Sequence, residues 1–368
     1  MLKSEQNVLI SLFWKGAHGF YTGGMTKSGR LGWQPAFTSK LLTLGFLAVM
    51  LLIFSVAAKN FFTVRSILNL LVQTSTFTII GIGSTLVLMV GGVDLSLGAV
   101  VALGGVGVIW SVVLGAPVWL AMIIGVSLGG LIGCANAFLV TRLRLPSFLA
   151  TMSMAMIIYG ILNLLAFIAF NSPPPPHPIP DSLGDLANKP VFRIYSGARA
   201  VVFPGISWIV IIMAFIAVLM HFVFAKTRFG RRVRMVGSNP AAARLSGIRV
   251  NRVTLLAYAS AGMLAAVSGV LLTSRLGFPP GGAVGYEMIG ITCAMIGGAS
   301  LAGGVGSMGG TVIGSFLICT LSTGLSMANT SNPAYPFLFN GIVVLVAVYL
   351  DQLRSGRLRR TREMGSRG

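Results

Sequence analysis

Uninterrupted apolar runs of 18 or more residues recur between residues 41 and 350. A run of about 20 such residues, rising 1.5 Å each, crosses roughly 30 Å of hydrocarbon as a helix. In lipid every backbone N–H and C=O needs an internal partner, which leaves helices or a closed barrel. The runs are continuous rather than alternating, so helices are expected. Candidate spans fall near 41–58, 66–90, 95–114, 117–141, 147–170, 206–225, 253–274, 287–303, 308–328 and 335–350. Composition agrees: only 9% of residues are charged and mean hydropathy is +0.88, against about 25% charged in soluble domains. The expected fold class is an all-α polytopic membrane protein with about ten transmembrane helices.

The formal charge of +20 invites a nucleic-acid reading, but its distribution argues otherwise. With the N-terminus inside, 21 of the 27 Lys and Arg residues fall in inside segments. That asymmetry follows the positive-inside rule, so the basic charge encodes topology, with both termini cytoplasmic. No nucleic-acid partner is expected. The chain then divides into a basic lead-in (1–40), a membrane domain (41–350) and a basic tail (351–368). The lead-in lacks a signal-peptide pattern. Cys134, Cys293 and Cys319 all fall inside spans, without metal-ligand spacing, and read as small packing residues. No metal site is expected.

Two connections are long. Residues 171–205 lie outside by span counting and begin NSPPPPHPIP, where four consecutive prolines exclude a helix. This segment is either a surface for an external partner or a packed cap over the spans. Residues 226–252, KTRFGRRVRMVGSNPAAARLSGIRVNR, lie inside and contain a complete short-helix signature. Asn239 or Ser238 caps it, and Pro240 suits the first position. Ala241, Ala242, Ala243, Arg244 and Leu245 are strong helix formers, and Gly247 can end the helix in the left-handed conformation. Six or seven residues are too few for a helix stable alone in water, so this one needs a packing partner.

MVGGVDLSLG (89–98) and MIGGASLAGG (295–304) repeat the pattern M-x-G-G-x-x-L-x-x-G, with Ser300 in place of Asp94. Gly91–Gly92 and Gly297–Gly298 permit a sharp turn, while Asp94 and Ser300 can accept from N–H groups two or three residues on. Each copy therefore reads as a helix end, a tight turn and a new helix start. Asp94 is either that cap or a contact for solute or gate, because paired helix breaks in two halves point to a pathway. Span counting puts both copies near the cytoplasmic side. Glu287 opens a span at its outer end, where an acid suits the helix dipole; a solute contact is the alternative. Inward-facing Asn69, Gln73, Thr74, Ser75, Thr76, Asn136 and Asn163 suit either a neutral polyol or packing between helices. The sequence carries neither a phosphate-binding G-x-x-x-x-G-K-[ST] motif nor a catalytic constellation. Pumping would draw on another subunit.

GGVDLSLG, TRFGRRVRMVGSNPAAARLSGIRV, YEMIGITCAMIGGASLAGGVGSMGG and the ten-span layout together resemble permease subunits of bacterial ABC importers, notably those for ribose, xylose and related monosaccharides. The likeness covers roughly residues 45–350. It implies the ABC importer permease fold in the inner membrane, a second permease subunit, identical or not, two ATPase subunits and an extracytoplasmic sugar-binding protein. The chain itself would bind no cofactor, with ATP and magnesium held by the ATPase. Gly237, Asn239, Pro240, Ala241, Ala242, Arg244 and Gly247 would form the coupling helix that docks on the ATPase. Gly91, Gly92, Asp94, Gly297, Gly298, Ser300 and Glu287 would line a gate or pathway. Nucleoside, autoinducer and branched-chain amino acid permeases share related architectures, and an ATP-independent secondary transporter is a further alternative.

Overall fold

The computed structural model describes residues 35–170, 180–192, 194–195, 201–277, 283–328, 335, 338–349 and 351. Most of the basic lead-in, the proline run and the basic tail beyond residue 351 lie outside the described residues. The chain divides into Met1–Thr38 and Ser39–Gly368, and the architecture below is that of the second unit.

An apolar helix stands at each of the ten expected spans. Six are long and apolar enough to cross a membrane. In chain order the first elements are α1 (Pro35–Ala57), α2 (Val64–Met89), α3 (Leu97–Val113), α4 (Val118–Thr141) and α5 (Ser147–Phe170). A short α6 (Asp181–Asn188) and strands β1 (Ile194–Tyr195) and β2 (Val201–Phe203) follow. Then come α7 (Trp208–Lys226), α8 (Arg228–Ser238), α9 (Pro240–Leu245), α10 (Val250–Leu276), α11 (Tyr286–Ile296), α12 (Met308–Met327) and α13 (Leu338–Tyr349). The strands form an antiparallel pair with Ile194 opposite Phe203.

The expected span 287–303 is not one crossing helix. α11 has 11 residues, a rise of about 16 Å. The chain leaves the helix at Gly297, Gly298 turns left-handed, and two further left-handed glycines, Gly303 and Gly304, keep it from resuming before Met308. α11 lies beside the second half of α2: Tyr286 stacks edge-on against Phe77 at 5.8 Å, and Gly290 meets Ile80 and Ser84. Phe77 is 13 residues into α2, about 20 Å from its start. α11 therefore begins beside the middle of α2.

α2 is the axis of the fold, with every residue from Thr74 to Met89 buried. α12 runs antiparallel along it, with Ser66 against Met327 at one end and the hydroxyls of Thr85 and Thr311 2.7 Å apart near the other. α10 crosses α4 at backbone contact, because a β-carbon on Gly262 would overlap the carbonyl of Gly129. Small residues let membrane helices approach this closely.

The described part of the connection 171–205 is a packed cap. Leu183 on α6 is fully buried, and its carbonyl accepts from Ser274 Oγ on α10 at 2.6 Å. Ser207 Oγ, which also caps α7, lies 2.9 Å from the carbonyls of Leu186 and Ala187. Two polar residues expected to face inward do not: Asn69 and Asn163 are exposed, and Asn163 donates to its own helix at the Tyr159 carbonyl. Cys293 and Cys319 are buried and Cys134 half-buried, all free thiols.

Gly262→Val should force α10 away from α4. The expected cost is about 1–3 kcal/mol, read as a lower thermal midpoint of the detergent-solubilised protein. An unchanged midpoint would rule out the close crossing.

Candidate gate and coupling site

Residues 226–252 form a helix pair whose second member stands where the sequence places it. Asn239 has an extended backbone, and its Oδ1 accepts from the N–H groups of Ala241 and Ala242, both at 3.0 Å. Ser238 ends α8 instead, so the open choice of cap resolves to Asn239. Pro240 takes the first position of α9. Gly247 is left-handed at φ 75°; its N–H donates to the Arg244 carbonyl at 2.9 Å, and Ile248 N–H donates to Ala243 at 3.0 Å. This bond pair closes the last turn. Only one face of α9 is covered: Ala243 is buried, whereas Ala241, Ala242, Arg244 and Leu245 are exposed, Leu245 at 91%.

The two Gly-Gly elements close their helices by the same bond pair, one register apart. After α2, Gly91 N–H donates to Leu88 (2.9 Å) and Gly92 N–H to Val87 (3.0 Å), with Gly91 at φ 83°. After α11, Gly298 N–H donates to Met295 (2.9 Å) and Ala299 N–H to Ala294 (2.9 Å), with Gly298 at φ 92°. The left-handed residue is thus the first glycine of one copy and the second of the other.

Asp94 and Ser300 then behave alike, but neither caps a helix directly. Asp94 Oδ1 accepts from Ser96 N–H at 2.9 Å, and Ser300 Oγ accepts from Ala302 N–H at 3.2 Å. α3 begins just beyond, at Leu97. In the second copy no helix starts at Ser300; Ser307 caps α12 instead, its Oγ accepting from Gly310 N–H at 3.1 Å.

Asp94 is 3% exposed and anchors a polar knot. Ser96 Oγ donates to its Oδ1 at 2.6 Å, and Asn136 on α4 donates to Ser96 Oγ at 2.7 Å. The Asn136 amide also lies 3.4 Å from both carboxylate oxygens. The strap 90–96 has no sheet partner, and two of its amides are met by hydroxyls of α5. Val93 N–H donates to Ser147 Oγ (3.1 Å) and Leu95 N–H to Thr151 Oγ1 (2.9 Å). Ser147 and Thr151 carried no sequence signal, since hydroxyls on an apolar helix ordinarily bond their own backbone.

The first Gly-Gly element, the loop after the second and the end of α8 meet backbone to backbone. Gly304 N–H donates to the Met89 carbonyl at 3.0 Å. A β-carbon on Gly237 would collide with that same carbonyl and with Gly304 N; one on Gly303 would meet the Gly237 carbonyl at 2.7 Å. Gly91, Gly237, Gly303 and Gly304 thus share one junction, and Asn239 starts α9 two residues beyond it.

Glu287 stands apart. It sits in the first turn of α11, accepting from Gly285 N–H at 3.1 Å, with Gly98 of α3 against its carboxylate. Its place is beside the middle of α2 rather than at the end of a full-length span, because α11 has only 11 residues. Among the described residues neither Asp94 nor Glu287 forms a salt bridge.

The family described as branched-chain amino acid transport system / permease component matches residues 66–348. The chain belongs to this permease family. It is the permease component of an ABC transporter, not a catalytic subunit. Among its relatives, the ribose import permease protein of Escherichia coli (strain K12) is 32% identical over 327 residues, covering 89% of this chain and 98% of the relative. The ribose import permease protein of Bacillus subtilis (strain 168) is 34% identical over 312 residues, covering 84% and 91%. The xylose transport system permease protein of Escherichia coli (strain K12) is 30% identical over 359 residues, covering 84% and 91%. No solved structure matches the chain. The family assignment agrees with the predominantly helical architecture of the permease.

Asp94→Asn keeps an acceptor for Ser96 N–H and should shift the thermal midpoint of the permease little. Asp94→Ala strands that donor and the Asn136 amide, and should destabilise by about 1–3 kcal/mol. Equal midpoints for the two variants would dismiss the knot as a support.

Proposed function

We propose that this permease is the membrane-spanning subunit of an ATP-driven importer that carries a ribose-type pentose or related monosaccharide into the cytoplasm of a bacterium. The observation that carries the reading is α9: capped at both ends, covered only at Ala243, and set two residues from the junction of the Gly-Gly elements. A helix this short needs a partner, and its exposed Ala241, Ala242, Arg244 and Leu245 offer a surface for one. The partner is an ATPase subunit, which binds the ATP and magnesium. A second permease subunit completes the pathway, and an extracytoplasmic binding protein delivers the sugar.

In this reading α9 and both termini face the cytoplasm, as the placement of Lys and Arg favours. Force enters at α9, passes through Gly237 and moves the strap 90–96 and the loop 297–306. Those two elements form the inner gate, with Gly91, Gly92, Asp94, Gly297, Gly298 and Ser300 at its turns. Glu287, beside the middle of α2, is a solute contact on the way to it. The sugar is proposed because the ribose and xylose permeases are relatives along nearly their whole length. A second reading, a branched-chain amino acid as solute, is favoured by the family's description.

The test is uptake by cells expressing the permease with its ATPase and binding protein. Labelled ribose or xylose should accumulate; accumulation of leucine in their place would support the second reading. Ala242→Glu should abolish uptake, a loss of at least about tenfold on the scale of a disrupted interface contact, while the permease remains inserted at normal level. Full-rate transport by that variant would refute the docking role of α9.

A further inference from the structure

The two Gly-Gly elements differ at the acidic position of the repeat. The first carries its own carboxylate, Asp94; the second has Ser300 there. The structure supplies the missing acid from a distant part of the chain. Asp351, itself helical and two residues past Tyr349, directs Oδ2 at the second element, where Leu301 N–H donates to it at 3.1 Å and Ser300 Oγ at 3.2 Å. Apolar packing fixes that end of α13, since Ala347 and Val348 lie in one cluster with Leu301 and with Val93 and Leu95 of the first strap. The loop so held is the one that touches the coupling segment: Gly303 rests on the Gly237 carbonyl, and Gly304 abuts Ser238.

We infer that Asp351 is a positioning residue for transport, fixing the loop 299–304 against Gly237 and Ser238 as Asp94 fixes the strap 90–96. Both carboxylates hold a chain reversal whose backbone lacks a ladder, and both reversals bear on the end of α8. The C-terminal end of α13 is thereby a working part of the gate. This inference rests on the reading of α9 as the docking element.

The test compares solute imported per ATP hydrolysed in vesicles holding the whole transporter, with its ATPase and binding protein. Asp351→Asn keeps one oxygen able to serve both donors and should stay within about twofold of wild type. Asp351→Leu leaves both donors unmatched, and solute per ATP should fall about fivefold, the lower end of the scale for a stranded donor because both are half-buried, while ATP hydrolysis continues. Asp351→Glu, which keeps the charge but displaces it by one methylene, guards against failed assembly of the Leu variant and should lower the ratio about threefold. A wild-type ratio in Asp351→Leu or Asp351→Glu overturns the inference. So does a parallel loss of uptake and hydrolysis in all three variants, which would make the contact merely structural. If the wild-type complex itself neither imports sugar nor hydrolyses ATP, the proposed function falls and this inference falls with it.

Discussion

Within hydrocarbon a peptide group has no water to fall back on. Everything unusual in this permease lies where regular helices stop satisfying that demand. The strap 90–96 leaves α2 and leads into α3 without a helical or sheet partner. Its exposed amides are answered by hydroxyls of α5, and its turn by Asp94 and Asn136. The loop 297–306 meets the same demand partly by its own turn, Ser300 N–H on Val305 and Gly303 N–H on Ser300, and partly through Gly304 N–H on Met89 and through Asp351. Such side-chain and cross-element partners hold a backbone in place while leaving it separable, unlike a helix, whose bonds are internal.

That property suits a permease. The long helices α2, α4, α10 and α12 pack through small residues and buried apolar faces, giving a frame that resists deformation. The two reversals sit inside that frame beside α8 and α9. A movable part made of few, individually modest contacts can shift at low cost, whereas the frame cannot.

Much of this was legible in residues. Continuous apolar runs fixed the helical class, and Asn239, Pro240 and Gly247 marked α9, because caps and breakers act locally and leave a local signature. The repeated glycines announced two reversals. Other features depend on distance in the chain. The placing of Glu287 followed from α11 packing beside Phe77, and the start of α12 at Met308 rather than beside Ser300 followed from Gly303 and Gly304 turning left-handed against Gly237. Periodicity cannot shorten a span whose apolar residues continue past the helix end. Ser147, Thr151 and Asp351 were silent for the same reason, since each serves a backbone far away in sequence.

The junction at Gly237, Met89 and Gly304 has main chain on main chain, with no side chain between. Side chains act as cushions: they rotate, absorb small displacements and blur them. Here little lies between the end of α8 and the end of α2 to take up slack. The same bareness leaves no room for divergence, because any atom added at these positions would wedge the linkage open.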